Sequence, residues 1–183
     1  MSLLTIVQNT LREIGGFEVP TSVVGNTNET AVLSLALVNR SLKETAKRTR
    51  WPNQTVRGSI TTQASTDEYA LPSDFKAILN DSMWDDTNNR KVFGPISVTE
   101  WEYFKNTDIT EQSLTRYMRI FKSASGNNRV FYLYPTPDSV ATINYEYLSN
   151  ALAQSSGGTA QEVFLADTDT GLLDEDTVAL GFK

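Results

Sequence analysis

Apolar residues recur at helical spacing near both ends of the chain and at a spacing of two through its middle. Leu3, Val7, Leu11 and Ile14, with Leu4 beside them, fall on one stripe of a helix over Leu3–Ile14. Ser2 is placed to cap this helix and Gly15-Gly16 to end it, since glycine adopts the left-handed backbone that closes a helix. A link over 17–27, carrying Pro20 and Gly25, leads to a longer helix over about 28–49. Asn26 and Glu29 have capping-box spacing, and Val32, Leu35, Val38, Leu42 and Ala46 form the expected buried stripe. Lys47, Arg48 and Arg50 sit at its C-terminal end, where they complement the helix dipole, and Trp51-Pro52 stops it.

From Gln54 the period changes to two. Val56 and Ile60, then Tyr69 and Leu71, mark short strands, and 71–75 (LPSDF) predicts a turn entering a helical turn that buries Phe75 and Ile78. Met83-Trp84 and Val92-Phe93 flank a polar tip, 85–91, as a hairpin would. Ser97 and Glu100 have capping-box spacing for a short helix at about 98–105, with Val98, Trp101 and Phe104 facing inward. Arg116–Lys122 predicts a strand, joined by the polar turn 123–128 to a hairpin over 129–150. In that hairpin Val130, Tyr132 and Tyr134 alternate with Phe131 and Leu133. Pro135 to Asp138 break the run, and Ala141, Ile143, Tyr145 and Tyr147 line the returning arm. Residues 151–160 (ALAQSSGGTA) predict a flexible linker or exposed loop, Val163-Phe164-Leu165 a short apolar patch, and Asp174-Glu175-Asp176 the first turn of a last helix. The expected fold class is α+β. An antiparallel helical bundle over 1–53 with 151–183, the latter a docking segment, carries an inserted antiparallel β-sheet region over 54–150.

Composition narrows the chemistry. With no Cys and no His among 183 residues, there is no Cys/His nucleophile pair, no Ser-His-Asp triad and no ordinary zinc site. No apolar run approaches a membrane span, and the first ten residues lack the basic start and long apolar core of a signal peptide. The net charge of −6 is uneven: residues 1–92 hold ten basic and ten acidic residues, residues 93–183 six and twelve. An acidic surface repels phosphate, which argues against a nucleic-acid-binding module, though not against a surface that DNA merely passes.

The local motifs each have a bland reading. Asp167-Thr168-Asp169-Thr170-Gly171 suggests a calcium loop, but Gly171, Leu172 and Val178 occupy positions where an EF-hand needs an oxygen ligand, Gly and Glu. Asx-turns and a helix cap account for it as well. Glu100 and Glu102 with Asp108, or Asp174 with Asp176, offer paired carboxylates, and the alternative is solvated helix caps; residues two apart do not share a helix face. The tract 40–50 carries Arg40, Lys43, Lys47, Arg48 and Arg50 against Glu44. It reads as a nucleic-acid helix, as a solvated face, or as one half of a contact between copies. The other half would be the acidic stretch 158–183, with six acids and one base. The aromatic cluster Phe131, Tyr132, Tyr134, Tyr145 and Tyr147 reads as sheet packing or as a ligand platform.

Taken in order, several pieces resemble the head-to-tail adaptors, or tail accessory proteins, of short-tailed bacteriophages and their relatives. They are the opening helix ending in EIGGFEVP, the long helix ending at Trp51, ALPSDF, GPISVTEWEYFK, YLYPTPDSVATINYEYLSN and the closing LLDEDTVALGFK. The resemblance implies a structural virion protein with no cofactor. Such adaptors form a twelve-fold homo-oligomeric ring beneath the portal protein, extend the DNA channel without specific DNA binding, and offer a platform to tail, nozzle or fibre proteins. In that family the final helix leads into an extended tail that reaches the portal, whereas this sequence stops at Lys183, which leaves the portal anchor open. Two rivals stand beside this reading: a tail-associated peptidoglycan hydrolase using carboxylates, and a monomeric carbohydrate- or protein-binding β domain.

On the adaptor reading, three surfaces are expected. Copies meet through Arg40, Lys43, Lys47, Arg48 and Arg50 of one and Asp167, Asp169, Asp174, Glu175 and Asp176 of the next. Leu172, Leu173, Val178, Leu180 and Phe182, which have little cover near them in sequence, face the portal. Two polar tips face the tail: Asp85, Asp86, Asn88 and Asn89 in one, Ser123, Ser125, Asn127 and Asn128 in the other.

Overall fold

A computed structural model of the chain describes residues 1–48, 50–79, 82–107, 115–122 and 129–182. The chain divides into two units, Met1–Thr55 with Ser149–Lys183 and Val56–Leu148.

In the first unit, helix α1 (Leu3–Ile14) is capped by Ser2, whose Oγ accepts the Thr5 N–H at 3.4 Å, and closed by Gly15 at φ 72°, whose N–H reaches the Leu11 carbonyl. Its remaining free N–H groups are met by a loop: Leu3 N–H donates to the Asp169 carbonyl at 2.8 Å and Leu4 N–H to that of Asp167 at 3.2 Å. Leu3, Val7 and Leu11 are buried as expected, joined by Ile6 and Thr10, while Ile14 is exposed. Helix α2 (Glu29–Arg48) is capped by Asn28, whose side chain accepts the Thr30 N–H at 2.9 Å; Asn26, expected in that role, accepts the Asn28 N–H instead.

Of the stripe expected on α2, Val38, Leu42 and Ala46 are buried and Leu35 packs against the core, but the buried face is wider and excludes Val32. Ala31, Ser34, Val38, Ser41, Leu42, Thr45 and Ala46 face inward, and Val32 is exposed. Small residues on this face admit the close approach of α4 (Glu175–Phe182). Ser41 Oγ donates to the Val178 carbonyl at 2.7 Å, and a Cβ on Gly181 would collide with the Ser41 side chain.

Of residues 151–160, expected to be a flexible linker or exposed loop, 156–159 form an exposed loop, while Ala153, Gln154 and Ala160 are built into a sheet. Strand β9 (Ala153–Gln154) is the middle of three, paired antiparallel with β10 (Ala160–Gln161) and β11 (Thr170–Gly171). Ala151 is buried, and Leu152 and Ala153 share one core with Leu3, Val7, Val38, Leu42, Phe164, Leu173 and Val178.

The second unit is built on one eight-stranded sheet. Its strands are β1 (Thr55–Thr61), β2 (Glu68–Ala70), β3 (Phe75–Ile78), β4 (Trp84–Asp85), β5 (Arg90–Phe93), β6 (Arg116–Lys122), β7 (Arg129–Tyr134) and β8 (Thr142–Ser149). Their order is β1-β8-β4-β5-β6-β7-β2, with β3 also pairing β8. The two ends of that order, β1 and β2, are consecutive in sequence and joined by the short segment 62–67, which draws the edges together into a nearly closed barrel. Met83, Val92, Met118, Phe131, Leu133, Ile143, Tyr145 and Tyr147 fill the interior. Helix α3 (Val98–Asn106) lies on the outer face of β6 and β7, with Trp101 edge-on to Phe121, Tyr132 and Tyr134 and Phe104 stacked on Tyr117 at 4.3 Å. Its capping box between Ser97 and Glu100 is formed. Trp101 is buried and Phe104 partly so, but Val98 is exposed.

Three expectations fall here. The fold is not a helical bundle with an inserted antiparallel sheet. The large sheet is mixed, because β5 and β6 run parallel with α3 as their crossover, and the first unit carries a sheet of its own. The hairpin over 129–150 is absent: β7 pairs with β6 and β2, and β8 lies between β1 and β4. Alternating apolar residues identify strands but not their partners. Lastly, the helical turn expected after Pro72 is strand β3, with Phe75 buried and stacked on Tyr147.

Candidate interaction surfaces

The exposed half of α2 carries the basic tract. Arg40 Nε is 2.8 Å from Glu44 Oε1, an exposed pair one turn apart, which holds the Glu44 carboxyl below its usual range. Lys43, Lys47, Arg48 and Arg50 are exposed, and no carboxylate among the described residues makes an ion pair with them.

Two of the acidic residues expected opposite this tract are committed within the chain. Asp169 is 1% exposed, and its Oδ2 accepts the Leu165 N–H at 2.7 Å and the Ala166 N–H at 2.8 Å. Asp167, half-buried, accepts the N–H of Val23 at 3.0 Å and of Val24 at 2.8 Å. These carboxylates staple turns, though not as Asx-turns: Asp169 accepts from residues three and four before it and Asp167 from a loop distant in sequence, and a buried Asp169 cannot face a neighbour. Asp174 accepts from the Thr177 N–H and hydroxyl at the start of α4, which lowers its pKa, while it and Asp176 stay exposed. Glu175 belongs to α4; its side chain lies outside the description, as do those of Leu180 and Phe182.

The residues expected to face the portal divide in the same way. Leu173 and Val178 are core, 4% and 2% exposed, packed with residues of α1 and α2; their cover is distant in sequence rather than missing. Leu172 is partly exposed.

At the expected tail-side tip, Asp86, Asn88 and Asn89 are exposed, but Asp85 is not. Its carboxylate is fully enclosed, receiving the Asn88 N–H at 3.0 Å, the Asn88 amide and Arg90 Nε at 3.2 Å. Burial works to raise its pKa; the Asn88 and Arg90 hydrogen bonds and the charge of Arg116 outweigh that and hold it low. Ser123, Ser125, Asn127 and Asn128 lie outside the described residues, as does Asp108.

A surface that the sequence reading passed over lies between α1 and α2. Leu11, Ile14, Phe17, Leu33 and Leu37 line an open apolar groove of about 520 Å³, with Phe17 and Leu33 more than half exposed. The signal was present: Leu33 and Leu37 are a turn apart, off the stripe assigned to the core.

Among the described residues no group of three or more Asp or Glu could hold a metal ion, and no helix is long and apolar enough to cross a membrane. Glu100 accepts the Ser97 N–H as a cap, with its pKa lowered by that bond. No curated protein matches the chain. The family model described as SU10 adaptor protein matches residues 1–174, nearly the whole sequence. The chain therefore belongs to the SU10 adaptor protein family, a family of phage head-tail adaptors.

Proposed function

We propose that this chain is the repeating subunit of a virion connector, a ring between portal and tail that continues the DNA channel and carries no catalysis and no cofactor. The observation behind this is the adaptor-family match over 1–174, which leaves almost none of the chain for another module. On this reading the ring is a dodecamer built in the host cytoplasm, and DNA passes it without specific binding, as suits a chain of net charge −6.

The surfaces combine expected residues that are exposed with expected residues outside the described ones. Lys43, Lys47, Arg48 and Arg50, with Arg40 at their edge, meet the acidic start of α4 (Asp174, Glu175, Asp176) on a neighbouring copy. Asp86, Asn88 and Asn89, together with 123–128, meet the tail, nozzle or fibre protein. The portal is met through the surface around Leu172 and the end of α4, with Leu180 and Phe182.

The test is the mass of the protein in solution with and without portal. Twelve copies of the 20.3-kDa chain are expected in a ring. A monomer under both conditions overturns the reading. Arg48→Glu is expected to block the ring with circular dichroism unchanged, and raising salt toward 1 M, where screening acts within roughly 3 Å, to release folded monomers.

A further inference from the structure

We infer that the apolar groove between α1 and α2 receives the turn around Leu165 of a neighbouring copy, so that copies join head to tail through one apolar knob and one apolar hole. This rests on the connector reading and names the contact on which it would be built.

Leu165 is an unusual surface residue. It is 60% exposed, yet its turn is tightly held. The buried Asp169 carboxylate takes both its N–H and that of Ala166, Asn39 Oδ1 of α2 takes the N–H of Phe164 at 2.9 Å, and the Phe164 ring is buried beneath. An apolar side chain displayed on a pinned turn loses little freedom when it docks. The groove is its counterpart: Ile14, Phe17, Leu33 and Leu37 leave apolar surface open to water in a space large enough to accept a side chain.

The two features belong to opposite flanks of α2. At about 100° per residue, Ser34 in the groove wall and Asn39, which holds the Leu165 turn, are about 140° apart around the helix axis. A copy cannot place its own knob in its own hole, and knob and hole are different patches. Such a contact can repeat head to tail and close into a ring when the rotation allows, whereas a reciprocal exchange between two copies would stop at a dimer, and the cross-linked ladder below distinguishes the two.

Charge continues the match. Beyond Leu37 the outward face of α2 turns basic, with Arg40, Lys43 and Lys47 bordering a second, shallower depression. Glu162, exposed, precedes the knob by three residues in the acidic part of the chain. Asp167 and Asp169 are committed within the chain, so Glu162 is the acid that seating Leu165 in the groove would carry toward this basic face, a pairing that favours a copy of this chain over an apolar partner lacking acids.

The absence of cysteine makes the test clean. Leu33→Cys and Leu165→Cys chains, prepared separately and mixed, are expected to cross-link with a short bis-maleimide, while neither chain cross-links alone. The doubly substituted chain is expected to give a ladder of cross-linked copies. Leu165→Asp is expected to leave circular dichroism unchanged and abolish the ring. If the mixture stays uncross-linked while the native mass still shows rings, or if Leu165→Asp assembles normally, the contact lies elsewhere and the connector reading survives. Cross-linking of Leu33→Cys alone would show a symmetric pair and overturn the head-to-tail contact. Monomers with and without portal would remove the connector reading and this inference with it.

Discussion

Gly58 on β1 and Tyr145 on β8 are in such close register that a Cβ on Gly58 would lie 2.6 Å from Cζ of the tyrosine ring and 2.8 Å from its hydroxyl. The ring has nowhere to go. It is 2% exposed, edge-on to Phe131 and next to Tyr147, and burial raises its pKa. Glycine is used here for space. Gly58→Ala is expected to destabilise the barrel by about 1–3 kcal/mol, the usual cost of overpacking. Urea denaturation measures this; an unchanged midpoint would mean that β1 does not lie against Tyr145.

Asp85 supplies negative charge beside the buried Arg116 and the partly buried Arg90. Arg116 is 2% exposed, neither of its terminal nitrogens has a hydrogen-bond partner among the described residues, and its ion pair with Asp138 is 4.0 Å long. Burial, then repulsion from Arg90, lowers the Arg116 pKa, and Asp85 and Asp138 counter both. Asp85→Asn is expected to cost about 3–5 kcal/mol, the range for removing one partner of a buried charge pair. The pH dependence follows from the lowered Asp85 pKa. Its contribution is complete above the unfolded carboxylate value and is lost as pH falls through the lower folded value. Stability of the natural protein should therefore drop in acid more steeply than that of Asp85→Asn. Parallel acid slopes for the two proteins would remove Asp85 from this role.

Local elements were legible because their signals are local. Ser2 with Gly15-Gly16 bounds α1, Ser97 with Glu100 opens α3, and the alternation through Arg116–Lys122 marks β6. Partners were not legible. Nothing in the alternation of Val130 to Tyr134 says that β7 pairs with β2 across the sequence rather than with β8. One clue went unused: a helix between two strands implies a parallel crossover, which is how β5, α3 and β6 are arranged. Burial of polar residues was the other blind spot. Asp85 and Asp169 look like tip and surface residues in sequence, and only the N–H groups converging on them show why they are inside.

The two stapling aspartates should therefore behave as stability residues. Asp169→Ala removes the acceptor of two backbone N–H groups in a buried place, at about 1–3 kcal/mol for the groups left unsatisfied. Asp167→Ala should free the N–H groups of Val23 and Val24 and cost less, since that carboxylate is only half-buried. Amide hydrogen exchange distinguishes the two. Faster exchange is expected at Leu165 and Ala166 in the first variant and at Val23 and Val24 in the second. Unchanged protection at these amides would mean that the carboxylates do not hold them.

Leu173 tests whether the closing segment belongs to the fold or to a partner. It is 4% exposed in the core that α1 and α2 share with Val178, and Leu172 N–H donates to the Leu152 carbonyl at 2.9 Å beside it. Removing a buried leucine costs its transfer energy plus a cavity, so Leu173→Ala should lower stability by about 2–5 kcal/mol. A residue whose burial awaited a partner would cost almost nothing in the free chain. Deletion of 172–183 should be worse still. It takes away Val178, the acceptor of the Ser41 hydroxyl, and the whole of α4 from the face of α2. Thermal melting of the isolated chain gives the answer before any portal is added. If Leu173→Ala melts at the temperature of the natural protein while binding to portal is lost, the segment is a docking element and its place in the core is wrong. A fall of several degrees with residual portal binding in the folded fraction makes it a piece of the scaffold.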